Sequence, residues 1–316
     1  MNHAVRRVDV LVIGSGPAGL AVATGLAAAG VRGVEVLERE QQAGGVPRHC
    51  RHGGFGTPWR PLSGPAYASR SVRAAEDAGA AVRTGVTALG WADATTPTLD
   101  TVGVHGHERI AARAVVLATG ARERPRAARL VPGTRPAGIL STGELQQSVH
   151  LFGHYVGARA VVVGGESVGH AAVGTLRRAG AAVTALITEG GAGRRGLDAR
   201  MRLGVPVLTR TTLTEILGRP RATGARVRHA DGRCVVLPCD TIVLTGDFVP
   251  DHELARRGGL SLDPDTHGPT ADAASRSSRP GVFALGNLVH VNRPARAAAA
   301  EGRRAVPPLL RHLGMR

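Results

Sequence analysis

Lysine is absent from this 316-residue sequence, and all 40 of its basic residues are arginine. Against 24 acidic residues this gives a formal net charge of +16. Without lysine, a Schiff base and a lysine general base are excluded. Aromatic side chains are also few, with four Phe, two Trp and two Tyr, and the arginines form no block of five or six. Because stacking surface and clustered charge are both lacking, we expect no specific nucleic-acid partner.

Cysteine and long apolar runs are scarce as well. Three cysteines, Cys50, Cys234 and Cys239, make no disulfide framework, which favours a reducing cytoplasm. No apolar run approaches the ~20 residues that a membrane span requires. The first strand-like run begins at Val8 and leaves no room for a signal peptide, so we expect a cytoplasmic protein with no membrane partner.

Among the motifs that the sequence does contain, the strongest is a dinucleotide-binding fingerprint near the N-terminus. The apolar run 8–13 leads into Gly14, Gly16 and Gly19, which satisfy the pattern G-x-G-x-x-G. These glycines allow a tight turn, close approach of the backbone to a pyrophosphate, and close packing of helix on strand. The helix that follows would direct its N-terminal N–H groups at the phosphates. Glu38 ends the next strand, where its carboxylate would accept the hydroxyls of an adenosine ribose.

Two later segments complete this pattern. RAVVLATGARERP (113–125) and PGVFALGNLVH (280–290) are each an apolar strand that runs into a glycine turn. Together with the fingerprint they resemble the pyridine-nucleotide–disulfide oxidoreductase superfamily of flavoproteins. The resemblance implies an α/β fold with two Rossmann-like domains. Residues 1–124 and 251–316 would form a split FAD-binding domain, and residues 125–250 a smaller inserted NAD(P)-binding-like domain.

The same resemblance implies FAD as the cofactor and assigns residues to it. The late acid of the superfamily is replaced here by Asn287, which keeps a hydrogen-bonding side chain and loses a charge. The FAD-binding residues expected on this basis are Gly14, Ser15, Gly16, Pro17, Ala18, Gly19, Glu38, Arg48, Ala118, Thr119, Gly120, Gly286 and Asn287.

A second fingerprint lies further along the chain and is damaged. Gly164 and Gly169 fill its first and third glycine positions, but Glu166 takes the place of the second. Two like charges about 4 Å apart repel by roughly 4 kcal/mol at an effective dielectric of about 20. One interpretation is therefore that Glu166 faces the pyrophosphate and weakens NAD(P)H binding. The alternative is that Glu166 points to solvent and caps the start of the helix, which is favourable near a helix N-terminus.

Signals for nicotinamide specificity near this fingerprint contradict one another. Glu189 ends the following strand, where the ribose of NAD would be held, whereas Arg194 and Arg195 just beyond it would suit a 2′-phosphate. NADH and NADPH are therefore both left open.

A loop early in the chain is the expected place for chemistry. The loop 44–56 contains Cys50 alone, so a dithiol relay through it is excluded, and the thiol is interpreted as packing or, alternatively, as a single redox-active cysteine. His49 and His52 flank it, but this spacing is not a zinc pattern, and no metal site is predicted. With His290 beside the late turn, these histidines are the candidate catalytic groups, because imidazole can take a substrate proton near neutral pH. Their alternative role is ordinary surface or core packing.

The loop also takes part in a narrower resemblance. Its sequence PRHC is similar to that of FAD-containing alpha subunits of bacterial heteromeric amine and amino-acid dehydrogenases, as are ATGARERP, VPGTRPAG, STGELQQSV and TGDFVPDHELAR. In that group the second fingerprint is often degraded. The resemblance implies an FAD-dependent oxidoreductase that passes a hydride or electron pair through flavin N5, with a small-molecule substrate or a redox partner subunit in a hetero-oligomer. The alternatives are an NAD(P)H-dependent flavoprotein reductase and a flavin-binding electron-transfer partner without its own substrate site.

Overall fold

The computed structural model describes residues 5–57, 59–93, 96–191 and 204–315. The helices described, in chain order, are α1 (Pro17–Ala28), α2 (Gly64–Asp77), α3 (Thr142–His150), α4 (Ser167–Arg178), α5 (Glu253–Arg257), α6 (Ala295–Arg304) and α7 (Val306–His312). None of these helices is long and apolar enough to span a membrane. Short 3-10 turns span Val46–His49, Arg126–Arg129 and Gly286–Leu288.

The strands alternate with these helices along the chain. They are β1 (Val5–Ile13), β2 (Val34–Leu37), β3 (Phe55–Thr57), β4 (Arg60–Leu62), β5 (Ala81–Arg83), β6 (Thr87–Asp93), β7 (Thr98–Gly103), β8 (Gly106–Leu117), β9 (Ala121–Glu123), β10 (Ile139–Ser141), β11 (Arg159–Val163), β12 (Ala182–Ile187), β13 (Val207–Leu208), β14 (Thr211–Leu217), β15 (Gly224–His229), β16 (Cys234–Pro238), β17 (Thr241–Leu244), β18 (Phe248–Pro250) and β19 (Val282–Ala284). The α/β class predicted from the sequence is confirmed.

The chain divides into two compact units. The first comprises Met1–Arg122 and Val249–Arg316, and the second comprises Glu123–Phe248. Strands β9 and β18 lie where the chain leaves the first unit and returns to it. The assignment of one unit to FAD and the other to a nicotinamide nucleotide stays a prediction.

A central sheet forms the core of the first unit, in the strand order β5-β2-β1-β8-β7-β6, with β19 also paired to β8. Strands β5, β2, β1, β8 and β19 run parallel, whereas β6 and β7 are antiparallel to their neighbours. In β1, Val10 and Val12 belong to one buried cluster together with Leu20 of α1, and Leu11 and Ile13 belong to another. Residues 10–13 of the strand are buried on both faces, which explains why this part of its sequence is apolar without alternation.

The second unit combines a parallel sheet, β10-β17-β11-β12-β13, with the antiparallel sheet β14-β15-β16. Val162 of β11 packs in a cluster with Leu176 of α4, whereas Val161 packs in a cluster with Ile216 of β14. Helix α3 begins with a capping box in which Ser141 and Glu144 bond each other's N–H groups through their side chains. The parallel sheet is therefore covered by helices on one face and by the small antiparallel sheet on the other.

Each unit has an edge at which parallel strands end beside a glycine turn. In the first unit β1 leads into α1, and in the second β11 leads into α4. The parallel neighbours β8 and β17 end beside these turns. Ligands of open α/β sheets bind outside the carboxyl ends of the strands. We call residues 14–19 with 118–120 the first crevice, and residues 164–169 with 245–246 the second crevice.

Candidate functional site

Three glycines with different tasks shape the first crevice. Gly14 has a φ of +104°, and a Cβ there would overlap the carbonyl oxygen of Ala118. A Cβ on Gly19 would overlap the carbonyl oxygen of Gly14, so the backbone itself requires these two glycines. A Cβ on Gly16, in contrast, would meet no atom within 4 Å. The space beside Gly16 is therefore open to a ligand.

Helix α1 begins at this open position. Its N-cap is Gly16, which has no side chain to accept a hydrogen bond from the first turn, and no acidic residue lies in that turn. Pro17 is the first helical residue, where its missing N–H costs nothing. The N–H groups of the first turn and the positive end of the helix dipole are thus left for an anion. This donor set fits the pyrophosphate of a dinucleotide such as FAD.

A buried carboxylate, Glu38, stands beside the turn. Its Oε2 accepts hydrogen bonds from the hydroxyl and the N–H of Ser15, the latter at 3.2 Å. Its Oε1 accepts from the N–H of Glu40 at 3.0 Å. The N–H of Gly44 donates to Ser15 Oγ at 2.9 Å, so Ser15 also fixes the start of the 44–56 loop. Because a carboxylate oxygen accepts two hydrogen bonds, Glu38 retains acceptor capacity for a ribose hydroxyl.

The 44–56 loop passes close over the fingerprint. A Cβ on Gly45 would lie 2.8 Å from the Cα of Gly16. Arg48 donates from Nη1 to the carbonyl oxygen of Gln42 at 2.6 Å and from Nη2 to the carboxylate of Glu40 at 3.1 Å. Its Nε is buried and has no partner among the described residues. A buried donor without an acceptor is uncommon in a native protein, and a bound anionic or carbonyl group would satisfy it.

The segment Ala118-Thr119-Gly120 lines the first crevice at the end of β8. Thr119 Oγ1 donates to the carbonyl oxygen of Asp251 at 2.7 Å, and the N–H of Asp251 donates to the carbonyl oxygen of Gly120 at 2.9 Å. Gly120 has a φ of +80°, which a residue with a side chain adopts only with strain. The segment is therefore held by hydrogen bonds to the backbone of Asp251, and Gly120 adds no side chain to the turn.

The late turn reaches the first crevice through Gly286. A Cβ on Gly286 would lie 2.8 Å from the Cβ of Ala18, and its N–H donates to Glu301 Oε1 at 3.2 Å. The side chain of Asn287 accepts from the N–H of Arg293 at 3.1 Å and donates to its carbonyl oxygen at 3.3 Å. An aspartate would accept the first bond and could not donate the second. Asn287 thus makes two hydrogen bonds with the backbone of Arg293, of which the superfamily's acid could make only one.

The three histidines predicted as catalytic occupy different environments in the first unit. His49 is buried in the 3-10 turn. His52 bonds the carbonyl oxygen of Gly53 through Nδ1 at 2.7 Å, with its ring 5.4 Å from that of Phe55. His290 is exposed, and its Nε2 lies 3.9 Å from Glu301 Oε1. A catalytic role for any of them stays a prediction.

The second crevice repeats the backbone geometry of the first. Gly164 has a φ of +131°, and a Cβ on Gly169 would overlap the carbonyl oxygen of Gly164, as for the equivalent pair in the first crevice. Glu189 follows β12 and is exposed. Arg194 and Arg195 lie outside the described residues. The difference between the crevices is therefore at the middle position of the fingerprint.

Glu166 places its carboxylate across the second crevice. As the alternative interpretation predicted, it is exposed and stands at the N-cap of α4, but it makes no side-chain cap bond there. Its Oε2 instead accepts a hydrogen bond from Thr245 Oγ1 at 3.1 Å. Its Oε1 lies so close to Gly246 that a Cβ there would overlap it. The carboxylate turns toward the end of β17 because a threonine donor and a glycine of positive φ make room for it.

Two further charged residues meet at the same strand end, and neither was expected from the sequence. Glu123 accepts from the N–H of Gly143 at 2.8 Å and from that of Gly246 at 3.2 Å, and burial raises the pKa of its carboxyl. Arg129 donates to the carbonyl oxygens of Thr245 and Gly246. Glu123 lies in the run ARERP and Arg129 shortly after it, but only the fold shows that both contact the end of β17. The side chains of Glu166, Glu123 and Arg129 thus all contact the chain just after β17, beside the second crevice.

The fold and its two crevices define an α/β protein with two Rossmann-like units. Residues 8–302 match the family described as pyridine nucleotide-disulphide oxidoreductase. The chain therefore belongs to this family, and the resemblance predicted from the fingerprints is confirmed.

Several known proteins are similar to the chain. The alpha subunit of sarcosine oxidase from Rhizobium meliloti (strain 1021) is 29% identical over 270 residues, which cover 79% of this chain and 25% of that protein. An opine oxidase subunit of Rhizobium meliloti is 28% identical over 342 residues, which cover 97% of this chain and 63% of that protein. The chain thus spans less than two thirds of either relative. The crystal structure of T. acidophilum thioredoxin reductase superimposes with a TM-score of 0.82 at 21% identity, covering 96% and 98% of the two chains, which shows the shared fold.

Proposed function

We propose that the chain is an FAD-dependent oxidoreductase and a subunit of an amine or amino-acid dehydrogenase that does not use NAD(P)H efficiently. The contrast between the crevices is the observation that supports this proposal. The space beside Gly16 is empty to 4 Å, whereas the equivalent position carries Glu166, bonded to Thr245. One unit therefore fits a dinucleotide, and the other does not fit one without displacing a carboxylate.

The chain's own groups would bind and orient FAD in the first crevice. The first turn of α1 would bind the pyrophosphate, and Glu38 would accept a ribose hydroxyl. When bound, FAD would supply the capacity to take up or release an electron pair at N5. The backbone of the 118–120 and 286–287 turns would shape the remaining walls, and Arg48 would offer its buried Nε.

The expected partner and substrate class come from the relatives. The two relatives named above belong to a sarcosine oxidase and to an opine oxidase, and both are named as subunits of larger enzymes. A small amine or amino acid as substrate, and a redox partner subunit in a hetero-oligomer, follow from this likeness. A histidine of the 44–56 loop, or His290, would take the substrate proton.

The proposal is tested by the visible spectrum of the purified chain. We expect an FAD spectrum that is bleached anaerobically by an amine or amino-acid donor and only slowly by NADH or NADPH. Rapid bleaching by micromolar NADH or NADPH would contradict the proposed function. A chain that neither retains nor takes up FAD would contradict it as well.

One observation favours a second function, an NAD(P)H-dependent flavoprotein reductase. Glu166 is an exposed residue whose carboxylate is held by a single hydrogen bond from Thr245, so an incoming nucleotide would displace it at modest cost. The third function, an electron-transfer partner without a substrate site, predicts that no donor bleaches the flavin of the isolated chain. The same spectra separate all three.

A further inference from the structure

The second unit contains a cleft that is separate from the second crevice. The cleft has a volume of about 560 Å³ and lies between the 124–136 segment, the start of α3 and Leu244 at the end of β17. No residue of the 164–169 turn lines it. We call it the arginine cleft, because three of its lining residues are Arg124, Arg126 and Arg135.

One wall of the arginine cleft is apolar. It is formed by Leu130, Val131, Leu140 and Leu244, together with prolines of the 124–136 segment. Leu130 is exposed and has a φ of +54°, so the turn presents its aliphatic side chain to solvent. A concave space of several hundred Å³ with a mostly apolar lining and a few polar groups is typical of small-molecule sites.

Arg126 is held in place at this wall. Its guanidinium donates to the carbonyl oxygens of the four consecutive residues 131–134. These bonds fix the side chain and leave its charge uncompensated, because carbonyl groups are neutral. Burial lowers the pKa of Arg126, and the neighbouring guanidinium of Arg135 lowers it further. Two like charges thus lie near each other in one cleft.

The other charges near the cleft do not neutralise this pair. Within the described ranges, neither Arg126 nor Arg135 forms an ion pair with a carboxylate. Arg124 has its own partner, Asp247, at 3.5 Å. Glu144 lines the cleft and accepts the N–H of Ser141 at 2.7 Å, so it contributes one negative charge against the three arginines. The cleft therefore has a net positive charge beside an apolar wall.

We propose that the arginine cleft binds a small organic acid, with its carboxylate between Arg126 and Arg135 and its apolar body against Leu130, Val131 and Leu244. A carboxylate would accept charge-assisted hydrogen bonds from Arg135 and would remove the repulsion between the two guanidinium groups. An inorganic anion would leave the apolar wall wet, and a neutral apolar molecule would leave both charges unpaired. The ligand class therefore combines an anionic group and an apolar body, and the site lies beyond the proposed flavin chemistry.

In the test, hexanoate is titrated into the full chain, and its binding affinity is measured by isothermal titration calorimetry at constant ionic strength. Hexanamide has nearly the same shape without the charge, and acetate has the charge without the apolar body. We expect hexanoate to bind at least about tenfold more tightly than either, because a charge-assisted hydrogen bond and a buried alkyl chain each contribute a factor of this order. Equal binding of hexanamide or acetate, or no measurable affinity for hexanoate, would overturn the proposal.

Two variants locate the site. Arg135→Gln removes one positive charge from the cleft, and Arg233→Gln removes one from the exposed turn between β15 and β16 of the same unit. Hexanoate should bind at least about tenfold more weakly to Arg135→Gln and unchanged to Arg233→Gln. The ligand-free Arg135→Gln protein should melt no lower than the wild type, because a like-charge neighbour is gone. An equal loss of hexanoate affinity in both variants would overturn the proposal. Because no flavin turnover is measured, the result does not depend on the proposed redox function.

Discussion

The hydroxyl of Thr245 donates a hydrogen bond to Glu166 Oε2 at 3.1 Å, and this bond joins the ends of two adjacent parallel strands, β11 and β17. It keeps the carboxylate over the strand ends, which are the binding edge of an open α/β sheet. An anionic pyrophosphate would have to break the bond and approach the charge. The second crevice therefore differs from the first by one side chain rather than by a change of fold.

We expect Glu166→Gly to bind NADH and NADPH between about ten- and a thousandfold more tightly than the wild type, because both the charge and the volume are removed. The gain should be larger at low ionic strength, since salt screens exposed charges. FAD content should not change, because the two crevices lie in different units. Calorimetric titration at two ionic strengths measures the effect.

Glu166→Gln is the matched control for this experiment. It keeps the size of the side chain and its acceptor for Thr245, and it removes only the charge. Tighter NAD(P)H binding in both variants would assign the block to charge, whereas a gain in the glycine variant alone would assign it to volume. Micromolar binding by the wild type would show that the carboxylate blocks nothing.

Gly16→Asp should abolish FAD binding, because its carboxylate would enter the open space at the N-terminus of α1 and repel the pyrophosphate. The flavin absorbance per mole of purified protein is the measurement. Gly191→Asp is the control, since a Cβ there also meets no atom within 4 Å and the residue lies in the other unit. Stoichiometric flavin in Gly16→Asp would rule out the assigned site.

The variant Cys50→Ser should retain most of the rate at which an amine or amino-acid donor reduces the flavin. The buried thiol donates to the carbonyl oxygen of Val46 at 3.4 Å, which a serine hydroxyl can also do, and the other two cysteines lie in the other unit. Anaerobic reduction rates of variant and wild type are compared at equal FAD content. Complete loss of reduction in a folded, FAD-loaded variant would show that the thiol takes part in the chemistry.

The stability of the first unit should depend on Glu253 in a defined pH range. A hydrogen bond from Arg122 lowers the pKa of Glu253 from 4.5 to about 2. A depressed pKa means that the ion pair stabilises the fold above about pH 4.5 and that this stability is lost as the pH falls toward 2. Because the pair is partly exposed, Glu253→Gln should lower Tm at pH 7 by only about 1–4 °C. The difference should shrink as the pH is lowered below about 4.5.

Scanning fluorimetry between pH 7 and about pH 2.5 measures this dependence. Glu76→Gln, on the exposed side of α2, is the control and should show no Tm difference at any pH. A constant difference between Glu253→Gln and the wild type over the whole range would mean that packing, and not the ion pair, is what the variant removes.

Local sequence patterns were sufficient to predict the fold and the outline of the first crevice. Gly14, Gly16 and Gly19 stand at fixed offsets from an apolar strand, and the strand, turn and helix follow from these offsets alone. Glu38 is recognised in the same way, because it ends the next strand. The dipeptide Asp231-Gly232 is typical of a tight hairpin turn, and the structure places it between β15 and β16.

The second crevice could not be predicted in this way, because its contacts join residues far apart in the sequence. Glu166 and Thr245 are brought together by the pairing of β11 with β17, and Glu123 reaches the same strand end from the start of the unit. The sequence therefore identified the unusual residue but not the direction of its side chain. The arginine cleft was missed for the same reason, since Arg126 and Arg135 have no distinguishing spacing.

The close contacts that a Cβ would make at Gly14, Gly19, Gly164 and Gly169 have a genetic consequence. At each of these positions any larger residue meets a main-chain or neighbouring atom and disturbs folding, so most substitutions are removed before they can affect binding. At the middle position a Cβ on Gly16 would meet no atom within 4 Å, and the second unit accommodates Glu166 there, so a side chain at this position is compatible with the fold. Glycine and glutamate codons can differ by a single base, so one mutation is sufficient to place a carboxylate in the crevice of a unit whose fold is unchanged.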